Sequence, residues 1–290
     1  MNCWNASAGS TKRPTSTSSR WSPAAWMRLG WVNSNERTSN LNLLGRRRGD
    51  FLRGLYLVGS VALDDYKEGS SDIDFVALVS GSMDAALLGQ LERAHVELGS
   101  LGGPAFDGFY VSRRVLQEAP AIGAKAPYSL GGIFHSDGTP FEINPVAWHC
   151  LAQQGIAICG PHPAELGIAV DLTLLRRFLT TNLQSYWSKR AADCESALAR
   201  KALKEEAVAE EVAWGVLGTS RIACTLATAR IVSKTEAGRW ALATYPTEWH
   251  RAIQDALAVR RGEIHNLPAT RLGLALDFVR FVIAQSQPVA

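Results

Sequence analysis

Apolar and polar positions change their period along this chain. Residues 55–79 (LYLVGSVALDDYKEGSSDIDFVALV) hold two short apolar runs, Leu55–Val58 and Phe75–Val79, separated by Gly, Ser and charged residues. Runs of that length between turn formers predict buried strands. Met83–Leu98 sets Leu87, Leu88, Leu91, Ala94 and Leu98 at helical spacing, and after the glycine-rich stretch 99–104 Ala105–Ser112 reads as a third strand. Residues 139–162 predict a strand, a turn at Asn144-Pro145 and a short helix closing near Gly155. Beyond Asp171 the pattern becomes helical almost throughout. Asp171 is placed to cap a helix over LTLLRRFLTTNLQSYW, and further helices are expected over Ser196–Ala213, Val216–Val232 and Lys234–Ala243 and after Pro246 and Pro268. A helix is also expected over Asn40–Arg53. The predicted architecture is an α/β domain with a small mixed sheet and flanking helices over residues 41–162, then an all-α bundle over 163–290.

The strongest chemical signal lies between the first two strands. Gly59-Ser60 ends one apolar run, and Ser71-Asp72-Ile73-Asp74 opens the next. Carboxylates at i and i+2 of a strand share a face, because strand side chains alternate. They repel one another there unless a cation sits between them. Mg²⁺ suits this arrangement, since it takes one or two carboxylates and completes its shell with substrate phosphate oxygens. Gly59 allows close backbone approach to a phosphate, and the Ser60 hydroxyl and nearby amides can donate to it.

The pattern Gly-Ser, eleven residues, Asp-x-Asp resembles the signature of the polymerase β-type nucleotidyltransferase superfamily. Ser220–Leu242 (SRIACTLATARIVSKTEAGRWAL) is similar to a segment of the spectinomycin/streptomycin adenylyltransferases, so the resemblance spans residues 50–260. It implies a nucleotidyltransferase domain followed by the helical domain. It further implies an enzyme that carries AMP from ATP to a hydroxyl of an aminoglycoside-type antibiotic and releases pyrophosphate. Asp72 and Asp74 would hold Mg²⁺, with Gly59 and Ser60 at the phosphates. Asp107 would be the third carboxylate on a neighbouring strand, a metal ligand, the general base, or both. Related enzymes carry a glutamate at that place, one methylene longer. Arg221 and Lys234 would reach the triphosphate, Trp148 would offer an indole face to the substrate and Glu211 a negative charge. Transfer of a nucleotide to a protein or an RNA end, or a catalytically silent nucleotide-binding module, remain the alternatives.

Charge and composition narrow these classes. The whole chain carries +3, while residues 1–54 carry +7 from nine Lys/Arg against Glu36 and Asp50, which leaves the remainder at −4. A mildly acidic body suits a small cationic substrate and argues against a nucleic-acid channel. No window approaches the ~18–20 apolar residues that a transmembrane helix needs. Five scattered cysteines without a C-x-x-C pair disfavour a disulfide framework or zinc site and fit a reduced, cytoplasmic setting. A monomer is expected. Residues 1–40 differ in kind, with twelve Ser/Thr, four of the nine tryptophans and no acid before Glu36. They lack the apolar core of a secretory signal. Their Arg- and Ser-rich, acid-poor composition resembles an organellar transit peptide, but they read best as a disordered or non-native extension.

Overall fold

The computed structural model describes residues 51–81, 83–200 and 203–286. The expected extension over 1–40, and all but the end of the helix expected over Asn40–Arg53, lie outside them. That helix's last residues instead begin a strand.

Six strands form one mixed sheet: β1 (Leu52–Leu57), β2 (Ile73–Val79), β3 (Phe106–Ser112), β4 (Tyr128–Leu130), β5 (Ile133–His135) and β6 (Ile156–Cys159), in the order β5-β4-β3-β2-β1-β6. Only β2 and β3 run parallel. Their crossover is α2 (Ala85–Ser100), which Asp84 caps by accepting the Leu87 N–H at 2.9 Å. A parallel pair needs such a crossover, whereas the antiparallel pairs close through shorter links. β1 and β2 are buried along nearly their whole length, which is why both read as unbroken apolar runs.

The sequence missed β4, β5 and β6. The first two make a hairpin around Gly131-Gly132, at φ +60° and +74°, which is the left-handed conformation a two-residue turn demands. Conversely, the strand expected just before Asn144 does not form. Pro140 supplies no backbone donor there, and the chain turns into α4 (Pro145–Gln154), whose cap is Asn144.

The remaining helices are short α1 (Gly59–Ala62) and α3 (Arg113–Leu116), then α5 (Leu172–Asn182), α6 (Ser188–Ala199), α7 (Glu205–Thr228), α8 (Lys234–Thr244), α9 (His250–Arg260) and α10 (Ala269–Gln285). Asp171 caps α5 as expected, accepting from Thr173 and Leu174. The helix predicted over Ser196–Ala213 is instead two: α6 stops at Ala199 and α7 starts at Glu205. α7 is the axis of the helical half, with α8, α9 and α10 packed around it. A π-helical turn, Leu183–Trp187, joins α5 to α6 and swings Trp187 over Gly218 of α7. A Cβ at Gly218 would come within 2.4 Å of that indole.

Sheet and helices share one apolar core. Tyr56, Val76, Phe109 and Trp148 belong to the same buried cluster as Leu217, Ile253 and Phe278. Polar bonds reinforce the junction: Gln153 of α4 donates to the Ala229 carbonyl and accepts the Ile231 N–H, and Gln154 donates to the Ile231 carbonyl. The turn between α7 and α8 is thereby fixed to the sheet half. That turn carries the chain into Lys234.

Candidate active site

β1 ends at Leu57, and the chain turns sharply at Gly59 (φ +59°) into α1. The Val58 N–H donates to the Asp74 carbonyl at 3.0 Å, and a Cβ on Gly59 would lie 1.8 Å from Asp74 Oδ2. The glycine is therefore required twice, by the left-handed backbone and by the carboxylate pressed against it. Ser60 follows, its hydroxyl oxygen buried and without a hydrogen-bond partner. Asp72 is exposed just ahead of β2, and Asp74 is partly buried within it. Burial, and then the neighbouring Asp72 charge, push the Asp74 carboxyl up to about 7; Arg221 opposes this, while Asp107 and Glu142 add to it. Gathering negative charge in a poorly solvated place is unfavourable unless a cation joins it.

Cations come from the helical half. Arg221 projects from α7 toward Asp74, and burial lowers its pKa. Lys234 is the first residue of α8, where Ser233 caps the helix by accepting the Glu236 N–H at 3.1 Å. A lysine at a helix N-terminus faces the positive end of the dipole, an arrangement that an anionic ligand stabilises. Burial, Arg221 and Arg260 together push Lys234 down to about 8, against the pull of Asp72 and Asp65. The Lys234 ammonium also lies 4.6 Å from the centre of the Trp214 ring.

A buried clasp holds these cations in place. Asp65, 6% exposed, follows α1 and reaches across to α8. It accepts the Thr235 N–H at 3.1 Å and the Thr235 hydroxyl at 2.6 Å, while Arg260 donates to the Asp65 carbonyl at 2.6 Å. Asp65 and Arg260 were not singled out from the sequence. An acid eight residues before β2 carries no local signal for a partner 170 positions away.

Of the residues expected at the site, Gly59, Ser60, Asp72, Asp74, Arg221 and Lys234 share this one region. Three others are placed differently. Asp107 sits beside Asp74 in the parallel register of β2 and β3, and each of its carboxylate oxygens accepts a backbone N–H. They accept the Gly131 N–H at 2.8 Å and the Gly132 N–H at 2.7 Å, so Asp107 ties down the β4–β5 turn. Among the described residues no three His, Cys, Asp or Glu side chains converge on a common metal position.

Trp148 is also corrected. Its indole is 1% exposed, stacks on Phe109 and donates to the Glu118 carbonyl, making it core and leaving no face for a ligand. Glu211 already has a cation, accepting both Nε and Nη2 of Arg190, with the Cys194 thiol donating to it as well. The exposed aromatic beside Lys234 is Trp214, 44% exposed, whose N–H donates to the Tyr186 hydroxyl. Trp214 is not among the residues that the sequence pattern singles out.

Glu142 is a further missed carboxylate. It precedes the Asn144 cap of α4 and is partly buried. Burial raises its pKa, its own amide opposes the rise, and the charges of Asp107 and Asp72 add to it.

An acid pair under a glycine turn, faced by cations on two helices, is an arrangement for binding a metal–polyphosphate. Comparison with known proteins adds a partial family match and a likeness of fold. Residues 190–285, about a third of the chain, match the family model of the aminoglycoside adenylyltransferase C-terminal domain. The chain resembles the aminoglycoside adenylyltransferases. Among solved structures it is similar to the spectinomycin adenyltransferase AAD(9) from Enterococcus faecialis, determined with ATP and spectinomycin. That similarity has a TM-score of 0.62 at 16% identity and covers 88% of this chain and all of the other. No curated protein sequence matches. The chain thus shares the fold of that structure, a mixed sheet joined to helices, and its residues 190–285 match the C-terminal domain of the adenylyltransferase type. No helix among the described residues is long and apolar enough to cross a membrane. None of Cys150, Cys159, Cys194 and Cys224 forms a disulfide.

Proposed function

We propose that the protein is a Mg²⁺-dependent adenylyltransferase that moves AMP from ATP to a hydroxyl of an aminoglycoside-type antibiotic of the streptomycin or spectinomycin kind. The observation that carries this reading is the pairing of opposites across the two halves: Asp72 and Asp74 on the sheet, Arg221 and Lys234 on the helices, each within electrostatic reach of the other set. Residues 41–162 supply the acids and residues 163–290 the cations.

The residues present fit a divalent metal. Asp74 is driven toward protonation by burial and then by Asp72, and a dication would offset both. When bound, Mg²⁺ would supply charge neutralisation at the phosphates and steady the attacking and leaving oxygens. The protein's own groups do the rest. Ser60, with its unpartnered hydroxyl under a glycine turn, is placed to donate to a phosphate oxygen. Arg221 offers a planar fork and Lys234 a point charge to the pyrophosphate as negative charge gathers on it, stabilisation that grows toward the transition state. The dipole at the start of α8 favours negative charge at the same end.

On the acceptor side, Trp214 lies beside Lys234 and bonds to the Tyr186 hydroxyl, and both aromatics are 44% exposed. An indole face offers a cationic amino sugar about 0.5–2 kcal/mol. The acidic charge of residues 55–290 favours the same class of ligand. The protein is read as a cytoplasmic monomer. Incubation with ATP, Mg²⁺ and a panel of aminoglycosides, with pyrophosphate detection and mass measurement of the drug, tests the reading. A drug heavier by one AMP is the expected product. Nucleotide transfer to protein or RNA, with every drug unchanged, would overturn the substrate class.

A further inference from the structure

Lys234 is flanked on both sides by residues tied to the sheet half. On its C-terminal side, Thr235 gives both its N–H and its hydroxyl to Asp65. The Asp65 N–H donates in turn to the Ser60 carbonyl at 2.9 Å, so this tether starts at the glycine turn itself. On the N-terminal side, the turn between α7 and α8 is held by Gln153, near the end of α4. Gln153 Nε2 donates to the Ala229 carbonyl at 3.1 Å, and its Oε1 accepts the Ile231 N–H at 2.9 Å. One primary amide thus spans the turn with both its donor and its acceptor. Gln154 adds a bond to the Ile231 carbonyl at 3.3 Å.

The Gln153 anchor is seated at the level of the glycine turn. β6 begins at Ile156, three residues after Gln153, and Ile156 pairs with Leu57, two residues before Gly59. Gly155 joins helix to strand in a space too tight for a side chain, since a Cβ there would lie 2.5 Å from the Leu151 carbonyl oxygen. The contacts close a ring that leaves the Gly59-Ser60 turn through Asp65, passes Lys234 and returns through Gln153 and β6. That ring fixes where the Lys234 backbone stands, and its side chain reaches out from there.

Ala229 shows that the turn is held by its surroundings. It closes α7 at φ +57°, with its N–H donating to the Thr225 carbonyl at 2.8 Å. Glycine usually supplies this left-handed conformation at a helix end, and a residue with a Cβ keeps it only where neighbours impose it. Gln153 bonds the carbonyl of this residue and the amide two positions on.

We infer that Gln153 is a positioning residue for the triphosphate: it fixes the α7–α8 turn to the start of β6 and thereby sets how Lys234 stands to the Gly59-Ser60 turn. This role rests on the adenylyltransferase reading. Gln153 meets no reacting group, so its effect reaches ATP through Lys234.

The test is a double-mutant cycle between Gln153→Ala and Lys234→Met, with Mg²⁺–ATP affinity read by calorimetry and stability by thermal melting. Gln153→Ala is expected to raise the Kd for Mg²⁺–ATP about five- to tenfold with Lys234 present, and less than about twofold in the Lys234→Met background. Equal weakening in both backgrounds, or none with Lys234 present, overturns the assignment. Ala229→Gly separates position from stability, because glycine takes the left-handed turn without help. Added to Gln153→Ala, it should restore melting and leave the Kd raised, whereas a Kd that recovers together with melting overturns the positioning role. A wild type that binds no Mg²⁺–ATP breaks the functional reading separately. Gln153 is then judged on amide hydrogen exchange of the ligand-free protein. Faster exchange in Gln153→Ala confined to peptides over residues 229–240 supports the anchor, and equal exchange in the two proteins overturns it.

Discussion

The two halves of the site are built by different means. On the sheet side, Gly59, Ser60, Asp72 and Asp74 lie within sixteen consecutive residues, and strand geometry alone aligns the acids. On the helical side, Arg221, Lys234 and Arg260 come from three different helices and converge only because α8 and α9 pack on α7. The first set is local and rigid, the second assembled and dependent on the Asp65–Thr235 clasp. Damage to the sheet side should therefore remove chemistry while sparing the fold. Damage to the helical side should loosen nucleotide binding by degrees.

The largest effect is expected from the acids. Asp72→Asn or Asp74→Asn should each reduce pyrophosphate release at least a thousandfold, about 4 kcal/mol in the barrier, with melting unchanged or slightly raised as repulsion falls. Retention of a tenth of the activity would end the claim that this pair is the metal site. Trp148→Ala separates core from pocket. Removing a fully buried indole typically costs about 3–5 kcal/mol of stability, and denaturant unfolding should show it while the KM for the drug stays within about twofold. A raised KM at normal stability would restore Trp148 to the substrate.

The clasp comes next. Asp65→Asn exchanges a charge that holds Thr235 and Arg260 for an amide whose N–H₂ end faces donors. About 2 kcal/mol of stability should go, and ATP affinity should weaken because Lys234 is the adjacent residue. Unchanged unfolding and calorimetry would show that the halves are held by the apolar core alone.

The smallest effect is a pH dependence. Lys234 is pushed down to about 8, so it is charged below that pH and neutral above it. Loss of that charge removes an attraction for the triphosphate, so the Kd for ATP should rise a few-fold to tenfold between pH 7 and 9.5. Bound ATP raises the lysine's pKa in the complex by the same linkage. Lys234→Met should bind ATP weakly and show a flat profile over this range. A sloping profile in that variant would assign the titration to another group.

The sequence alone determined the strands that are buried on both faces, the long amphipathic helices and the placing of Gly-Ser beside Asp-x-Asp, because each depends on residues near one another in the chain. The hairpin around Gly131-Gly132 was legible too, in a Gly-Gly pair flanked by Tyr-Ser-Leu and Ile-Phe-His, and was passed over because its strands are only three residues long. What tertiary structure decided was the partner of each polar group. Asp107 has the right residue type in the right register, and its oxygens accept amides 24 and 25 positions away. Trp148, which has the chemistry of a ligand platform, faces Phe109 in the core. Glu211 found Arg190, Asp65 found Thr235, and Glu142 was left with an open oxygen. A carboxylate's role is set by what fills its hydrogen-bonding sites, and those neighbours are fixed by packing between distant segments, on which local spacing carries no information.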